Sequence, residues 1–424
     1  MKRQKVKTSK SQNRWLTTAA AFHVIASVLL CGAAHGQIAI RGETVYTMAG
    51  PSIRDGVVII AGGKIQSVGP AAQVPIPENM KTLQAKIVTP GLVDAHTVVG
   101  LTGYMNQDQD QDQIDLNDPV QPELRAIDSY NPQERLIEWI RGFGITAIHT
   151  GHAPGALVSG QTMIAKTTGN TVEESLLKPV AMVAVTLGDD ARAKGKDAEK
   201  KPPGTRSKAV AMLRENLVKT REYLRKQDLP DLTKRPERDL RLDVLARVLK
   251  GDLPLLVTAY RATDIVSALR VAEEFKIKLV LDGAAEAYLV IDQIKTAGVP
   301  VIIHPTMHRA GMGESENISF ETAAKLKHAG IPVALQSGYE SYVPKTRVAL
   351  FEAAVAAANG LSFEEALGTI TIDAAKILEI ADRVGSLEVG KDGDAALYDG
   401  DPFEYTSHCT GVVINGRVAS ELTR

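Results

Sequence analysis

The chain has 424 residues, 44% of them apolar and 23% charged, enough for one large domain with a smaller one attached. Aromatic residues make up only 4%, so the core has to be built from Ala, Val, Ile and Leu. A formal net charge of −1, which falls to −7 without the six positive charges of the first fourteen residues, argues against a general nucleic-acid or anionic-membrane binder.

The first fourteen residues, MKRQKVKTSKSQNR, carry six Lys or Arg and no acid. An apolar stretch, WLTTAAAFHVIASVLLCGAA, follows, ending in Ala34-His35-Gly36 before Gln37. This order predicts a secretory signal over residues 1–36, removed to leave a periplasmic or secreted chain. An uncleaved membrane anchor is the competing reading. Taking six positive charges from −1 leaves −7 on the mature chain. No other apolar run approaches the roughly 20 residues a transmembrane helix needs, so none is expected in the mature chain. Cys31 leaves with the signal, and Cys409 alone cannot form an internal disulfide.

Residues 37–88 alternate short apolar runs with Gly, Pro and Asp, predicting β-strands at IAIRGETVYTM, DGVVIIAGGKIQSVG and KTLQAKIV. Gly62-Gly63 marks one tight turn. From 89 to 382, apolar runs such as IVTPGLVDAH, GITAIHTG, LPLLVTAY, KLVLDG and VPVIIHP alternate with helical periodicity. Ser362 with Glu365 predicts a capping box on a late helix. Such alternation implies a parallel sheet and suits a (β/α)₈ TIM-like barrel, with a doubly wound open sheet as the competitor. Residues 383–424 return to the β texture, and Asn415-Gly416 predicts a hairpin. The two ends together predict a small β-sandwich. NQDQDQDQIDLND (106–118) and DDARAKGKDAEKKPPGTRSK (189–208) read as solvated loops.

Pro90-Gly91-Leu92-Val93-Asp94-Ala95-His96 resembles the P-G-[LI]-[IV]-D-x-H-x-H signature of the amidohydrolase superfamily. Arg383-Val384-Gly385-Ser386-Leu387-Glu388-Val389-Gly390-Lys391-Asp392 is similar to its R-x-G-S-L-E-x-G-K-D segment. VSGQTMIAK and RATDIVSALRVAEEFKIKLVLDGAAEAYLV resemble the imidazolonepropionase-like and prolidase-like branch. The resemblance implies a metal-centred barrel, a β-sandwich from both termini, and hydrolysis of C–N bonds by metal-activated water. It also implies ligands at the C-terminal ends of the strands.

Set against that pattern, His96 is the only retained standard ligand. Val98 stands where the second histidine belongs, Thr258 and Gly283 stand at two further histidine positions, and Gly338 takes the place of the catalytic acid. A catalytic zinc needs about three protein ligands and an open position, so His96 alone cannot hold one. No cofactor is therefore expected; zinc or another divalent metal belongs to the alternative. That alternative is a rearranged site from His149, His152, His304, His308 and Asp282, with Glu340 nearby, since these fall at strand ends. The competing reading makes them rim histidines. Ser159-Gly160-Gln161 reads as a backbone turn. The sequence thus favours a non-catalytic homologue that binds a small molecule or an intact amidohydrolase paralogue, or forms a homo-oligomer. The alternative function is a C–N hydrolase with a rearranged site.

Overall fold

The computed structural model describes residues 37–192, 203–340 and 345–424. The expected signal segment, 1–36, lies outside the described residues.

Both chain ends do enter one sheet. β1 (Ile38–Val45), β2 (Ile53–Ala61), β3 (Lys64–Pro70) and β4 (Lys81–Pro90) come from the N-terminal part. β5 (Leu92–Thr97) through β14 follow in the middle, and β15 (Ala395–Tyr398), β16 (Cys409–Ile414) and β17 (Arg417–Ser420) close the chain. The terminal strands form one seven-stranded sheet in the order β17-β16-β15-β4-β1-β2-β3. β4 joins the two contributions, parallel to β1 and antiparallel to β15. The predicted turns are left-handed in φ, as two-residue hairpins require: Gly62 and Gly63 at 62° and 78°, Asn415 and Gly416 at 51° and 70°.

The middle is mixed α/β. β6 (Ile145–Thr150) runs parallel to β5, and β8 (Met163–Lys166) and β9 (Leu176–Lys178) complete a four-stranded sheet. A six-stranded sheet runs β14-β13-β12-β11-β10-β7. Its members are β7 (Val158–Gln161), β10 (Val183–Thr186), β11 (Leu255–Ala259), β12 (Leu279–Gly283), β13 (Val301–Ile303) and β14 (Val333–Ala334). β10 to β14 are mutually parallel. The two sheets meet where Ala95 N–H donates to the Leu335 carbonyl at 3.2 Å and Gly338 N–H to the His96 carbonyl at 3.3 Å. They meet again where Thr162, between β7 and β8, exchanges backbone bonds with Met182 and Ala181.

One expectation is overturned here. Ser159-Gly160-Gln161 is strand, not turn: β7 and β8 both run antiparallel to their neighbours, β10 and β6. Gly160 has a φ of +138° within the strand, and its role is steric. A Cβ there would lie 2.5 Å from the His152 ring and 2.8 Å from the Leu124 carbonyl.

Helices cover the outer side of these strands with the capping residues their sequences supply. Thr205 caps Arg206–Gln227, Asp239 caps Leu240–Leu249, and the Ser362–Glu365 capping box opens Phe363–Thr369 as predicted. No helix among the described residues is long and apolar enough to cross a membrane.

Candidate functional site

The period of two along a strand places the site. Val93, Ala95, Ala147, Ile164, Leu256, Val280, Ile302 and Ala334 share one buried apolar cluster, while Ile148, Val257, Leu281, Ile303 and Leu335 pack in another with the helices. Two residues further along each inward row stand His149, Thr258, Asp282, His304 and Gln336, and Thr162 on the antiparallel segment. All six are buried. His96 joins them because the register of β5 shifts between Asp94 and Thr97, an irregularity that re-aims a side chain at a strand end.

Asp282 is the centre of this polar layer. Its Oδ1 accepts from His96 Nδ1 at 3.0 Å and from Gln336 Nε2 at 2.8 Å, and its Oδ2 accepts from Thr258 Oγ1 at 2.6 Å. Burial alone would raise its pKa, but His96 beside it and the Thr258 and Gln336 donors hold it below the usual carboxylate value. Nδ1 of His96 faces a carboxylate and so carries the proton, which leaves Nε2 as the free end of the ring. That nitrogen, Gln336 Oε1 and His304 Nε2 are buried without a hydrogen-bond partner.

His149 is spent on structure. Its Nδ1 donates to the Ala95 carbonyl at 2.7 Å, and its Nε2 accepts from the Thr162 hydroxyl at 2.7 Å. Burial, with His96 close by, pushes its pKa down to about 3, so the ring stays neutral. Its ring centroid is 5.6 Å from that of His96. His304 donates from Nδ1 to the Pro305 carbonyl at 2.8 Å, and burial lowers its pKa to about 4. His152 packs against Gly160 instead, also lowered by burial to about 4. His308 lies edge-on to the Tyr260 ring at 6.4 Å. Glu340 sits 3.5 Å from Arg347.

The positions lacking a standard ligand are filled. Val98 is fully buried, and Thr258, far from being empty, serves Asp282. A Cβ on Gly283 would touch the Tyr260 ring at 3.3 Å, and one on Gly338 would meet Pro305 at 2.9 Å and Glu340 at 3.0 Å. The Tyr260 and Tyr339 hydroxyls meet, and the Tyr339 ring lies 5.5 Å from His96. Asp94, of the signature, grips Ser337 across the join through backbone and hydroxyl at 3.0 and 2.5 Å; burial raises its pKa to about 6. Among the described residues, no three His, Cys, Asp or Glu side chains are grouped to hold one metal ion.

Sequence reasoning thus found His96, His149, Asp282 and His304 but missed Gln336, Thr162, Tyr260 and Tyr339. Counting inward positions from each apolar strand would have found the first two. The tyrosines carry no such signal.

The amidohydrolase family matches residues 126–419. A solved amidohydrolase from Thermotoga maritima is 29% identical, with a TM-score of 0.84, over 91% of this chain and all of that one. Among curated proteins, amidohydrolase tasK of Hapsidospora irregularis is 22% identical over 85% of this chain and 39% of its own length. An imidazolonepropionase of Rhizorhabdus wittichii is 42% identical over 62 residues, 13% of this chain and 16% of its own. The chain therefore spans well under half the length of these curated relatives. With the family matched across most of its length, this chain belongs to the amidohydrolase superfamily, in its imidazolonepropionase-like branch.

Proposed function

We propose that this protein binds a small polar ligand in an amidohydrolase-type mouth that works without the family's metal centre. The observation that carries the reading is the state of Asp282, whose carboxylate is already taken by three protein donors: His96, Gln336 and Thr258. A carboxylate so engaged has little left for a cation, His149 has both nitrogens in use, and Thr258, Gly283 and Gly338 supply none of the family's donors. The residues present do not fit the metal the family implies. The buried free acceptors His96 Nε2, His304 Nε2 and Gln336 Oε1 favour a ligand rich in N–H or O–H donors, admitted when the Tyr260–Tyr339 pair parts.

The rest of the reading follows from descent and sequence. The β5–β14 and β7/β8–β10 joins support one closed barrel wall, the terminal strands fill the place of the family's β-sandwich, and the chain is exported after loss of residues 1–36. An intact amidohydrolase paralogue or a second copy is the partner we expect. A second reading, hydrolysis of a C–N bond at a rearranged site, draws on one feature. His96, oriented by Asp282 with Nε2 free, has the form of a general base and its orienting acid.

Elemental mass spectrometry on the mature protein, purified without chelator and then offered zinc, tests the reading. We expect far less than one equivalent of metal. One or two equivalents that survive dialysis would overturn the metal-free mouth.

A further inference from the structure

The loop that leaves β13 runs from Pro305 to Glu321 on the side of the strand C-termini and is tied down in three places. At its start, Thr306 Oγ1 and Met307 N–H donate to Glu352 at 2.6 and 2.8 Å. Towards its end, Asn317 Nδ2 donates to Glu286 at 2.7 Å and Tyr288 Oη to the Asn317 carbonyl at 3.3 Å. Between them, Arg261 Nη2 donates to the Gly313 carbonyl at 2.9 Å, and the Glu314 carboxylate accepts Asp189 N–H from the loop after β10. β11 and β12 lie between β10 and β13 in the sheet, so the loop is a strap across the ends of the strands that carry Thr258 and Asp282.

Glu314 enters a slot that only glycine leaves open. A Cβ on Gly188, whose φ is +113°, would lie 2.1 Å from Glu314 Oε1. Once inside, the carboxylate meets a crowded charge balance. Arg206 Nε reaches Asp264 Oδ2 at 3.0 Å, and its Nη2 reaches Asp189 Oδ1 at 3.0 Å and Glu314 Oε1 only at 3.6 Å. Asp189 is also paired with Arg192 at 2.8 Å, and Asp190 faces Glu314 from the same loop. Glu314 Oε2 is buried without a partner, and the side chain is 9% exposed. Among the described residues Arg206 is shared by Asp264 and Asp189 and Arg192 is paired with Asp189, so the slot suits a neutral carboxyl better than a carboxylate.

We propose that the strap 305–321 is a proton-controlled cover of the mouth, docked while Glu314 is neutral and released as it ionises. Burial, reinforced by Asp190, Asp189 and Asp264 and opposed by the Asp189 N–H bond, raises the Glu314 pKa to about 7. The docked carboxyl holds its proton more tightly than a free one, with its ordinary value of 4.5. Docking is therefore strongest below that value and is lost as pH rises through about 7. His308 is the strap's other titratable group near the mouth, facing Glu340, Arg347 and Asp190. Burial lowers its pKa, so its charging on acidification falls below the ordinary imidazole range.

Hydrogen–deuterium exchange on the full mature chain at pH 5 and pH 8, corrected for intrinsic amide rates, tests this on segment 305–321 and the Asp189 amide. Linkage predicts that the open population rises ~10-fold or more from pH 5 to pH 8 in the wild type. Glu314→Gln, which keeps an acceptor for Asp189 and cannot ionise, should abolish the rise at the Asp189 amide, which Glu352, bound to Thr306 and Met307 at the strap's start, does not hold. Gly188→Ala, with circular dichroism confirming the fold, should open the strap at both pH values. Wild-type protection that is equal at the two pH values, or a Glu314→Gln chain as pH-sensitive as wild type, overturns the proposal. Because the readout needs no ligand, it is independent of what the mouth binds.

Discussion

Two buried polar clusters in this molecule solve the cost of burial in opposite ways. At the junction with the terminal sheet, Lys166 on β8 is 3% exposed and contacts Asp392 at 2.7 Å, Asp394 at 2.9 Å and the Asn415 amide oxygen. Asp392 is gripped in turn by Lys64 at 2.6 Å and Arg383 at 2.8 Å. Burial pushes its pKa up, but Lys166 and these partners win and hold it below the usual carboxylate value. At the mouth, by contrast, a single carboxylate organises three donors whose far ends stay unpaired in two of them, at His96 Nε2 and Gln336 Oε1. A cluster whose charges neutralise one another ties two parts of a fold together. One that leaves acceptors bare is spending stability on something else.

That contrast can be broken first at its strongest point. Lys166→Met keeps the aliphatic length, strands buried Asp394 without its cation and leaves Asp392 only its half-exposed partners Lys64 and Arg383. Removing one partner of a buried pair costs about 3–5 kcal/mol, so the midpoint of urea unfolding should fall sharply. A loss below about 1 kcal/mol would mean that the terminal sheet relaxes to let water reach Asp392 and Asp394.

The same two clusters show what a sequence displays and what it hides. Capping and turn chemistry was readable because it is local: Ser362 with Glu365, Gly62-Gly63 and Asn415-Gly416 each needs only its neighbours. The parallel strands were readable from their apolar runs. VSGQTMIAK was not, because its polar residues are buried by tertiary bonds no local pattern reports; Gln161 Nε2, for one, donates to the Pro122 carbonyl at 2.9 Å. Thr258 reads as a vacant ligand position because the resemblance says what should stand there, not what the replacement does. Its partner lies on the neighbouring strand, 24 residues away.

Thr258→Val sharpens the comparison from the other side. It conserves shape and deletes only the donor to Asp282 Oδ2. A buried hydrogen bond to a charged group is worth about 1.5–3 kcal/mol, and the loss should stay in that range by urea unfolding. A cost equal to that of Lys166→Met would mean the mouth is as much a structural keystone as the junction.

Glu352 gives an effect that depends on pH. It is fully buried on helix Ala349–Ala358, and burial, against the Thr306 and Met307 bonds, raises its pKa to about 7. The native state thus keeps a proton that the unfolded chain, with the ordinary value of 4.5, gives up. Its contribution is full below that value and is lost as pH rises through about 7. Glu352→Gln should therefore be near-neutral at pH 4.5 and more stable than wild type by about 3 kcal/mol at pH 8.5. A variant less stable at pH 8.5 than at pH 4.5, relative to wild type, would reverse the sign and require an ionised Glu352 in the fold.

The smallest expected effect tests the mouth most directly. Val98→His restores the family's pair of histidines on the first strand, and by ligand counting it should yield a chain that binds zinc if the mouth still holds a latent metal site. The packing argues that it will not. His96 Nδ1 is committed to Asp282, His149 to Ala95 and Thr162, and Tyr260 occupies the space above Gly283, so two imidazoles would have no third partner. Elemental analysis after zinc exposure should match wild type. Stoichiometric uptake would show that the Asp282 carboxylate can leave its three donors for a cation, and the mouth would then resemble its relatives in more than fold.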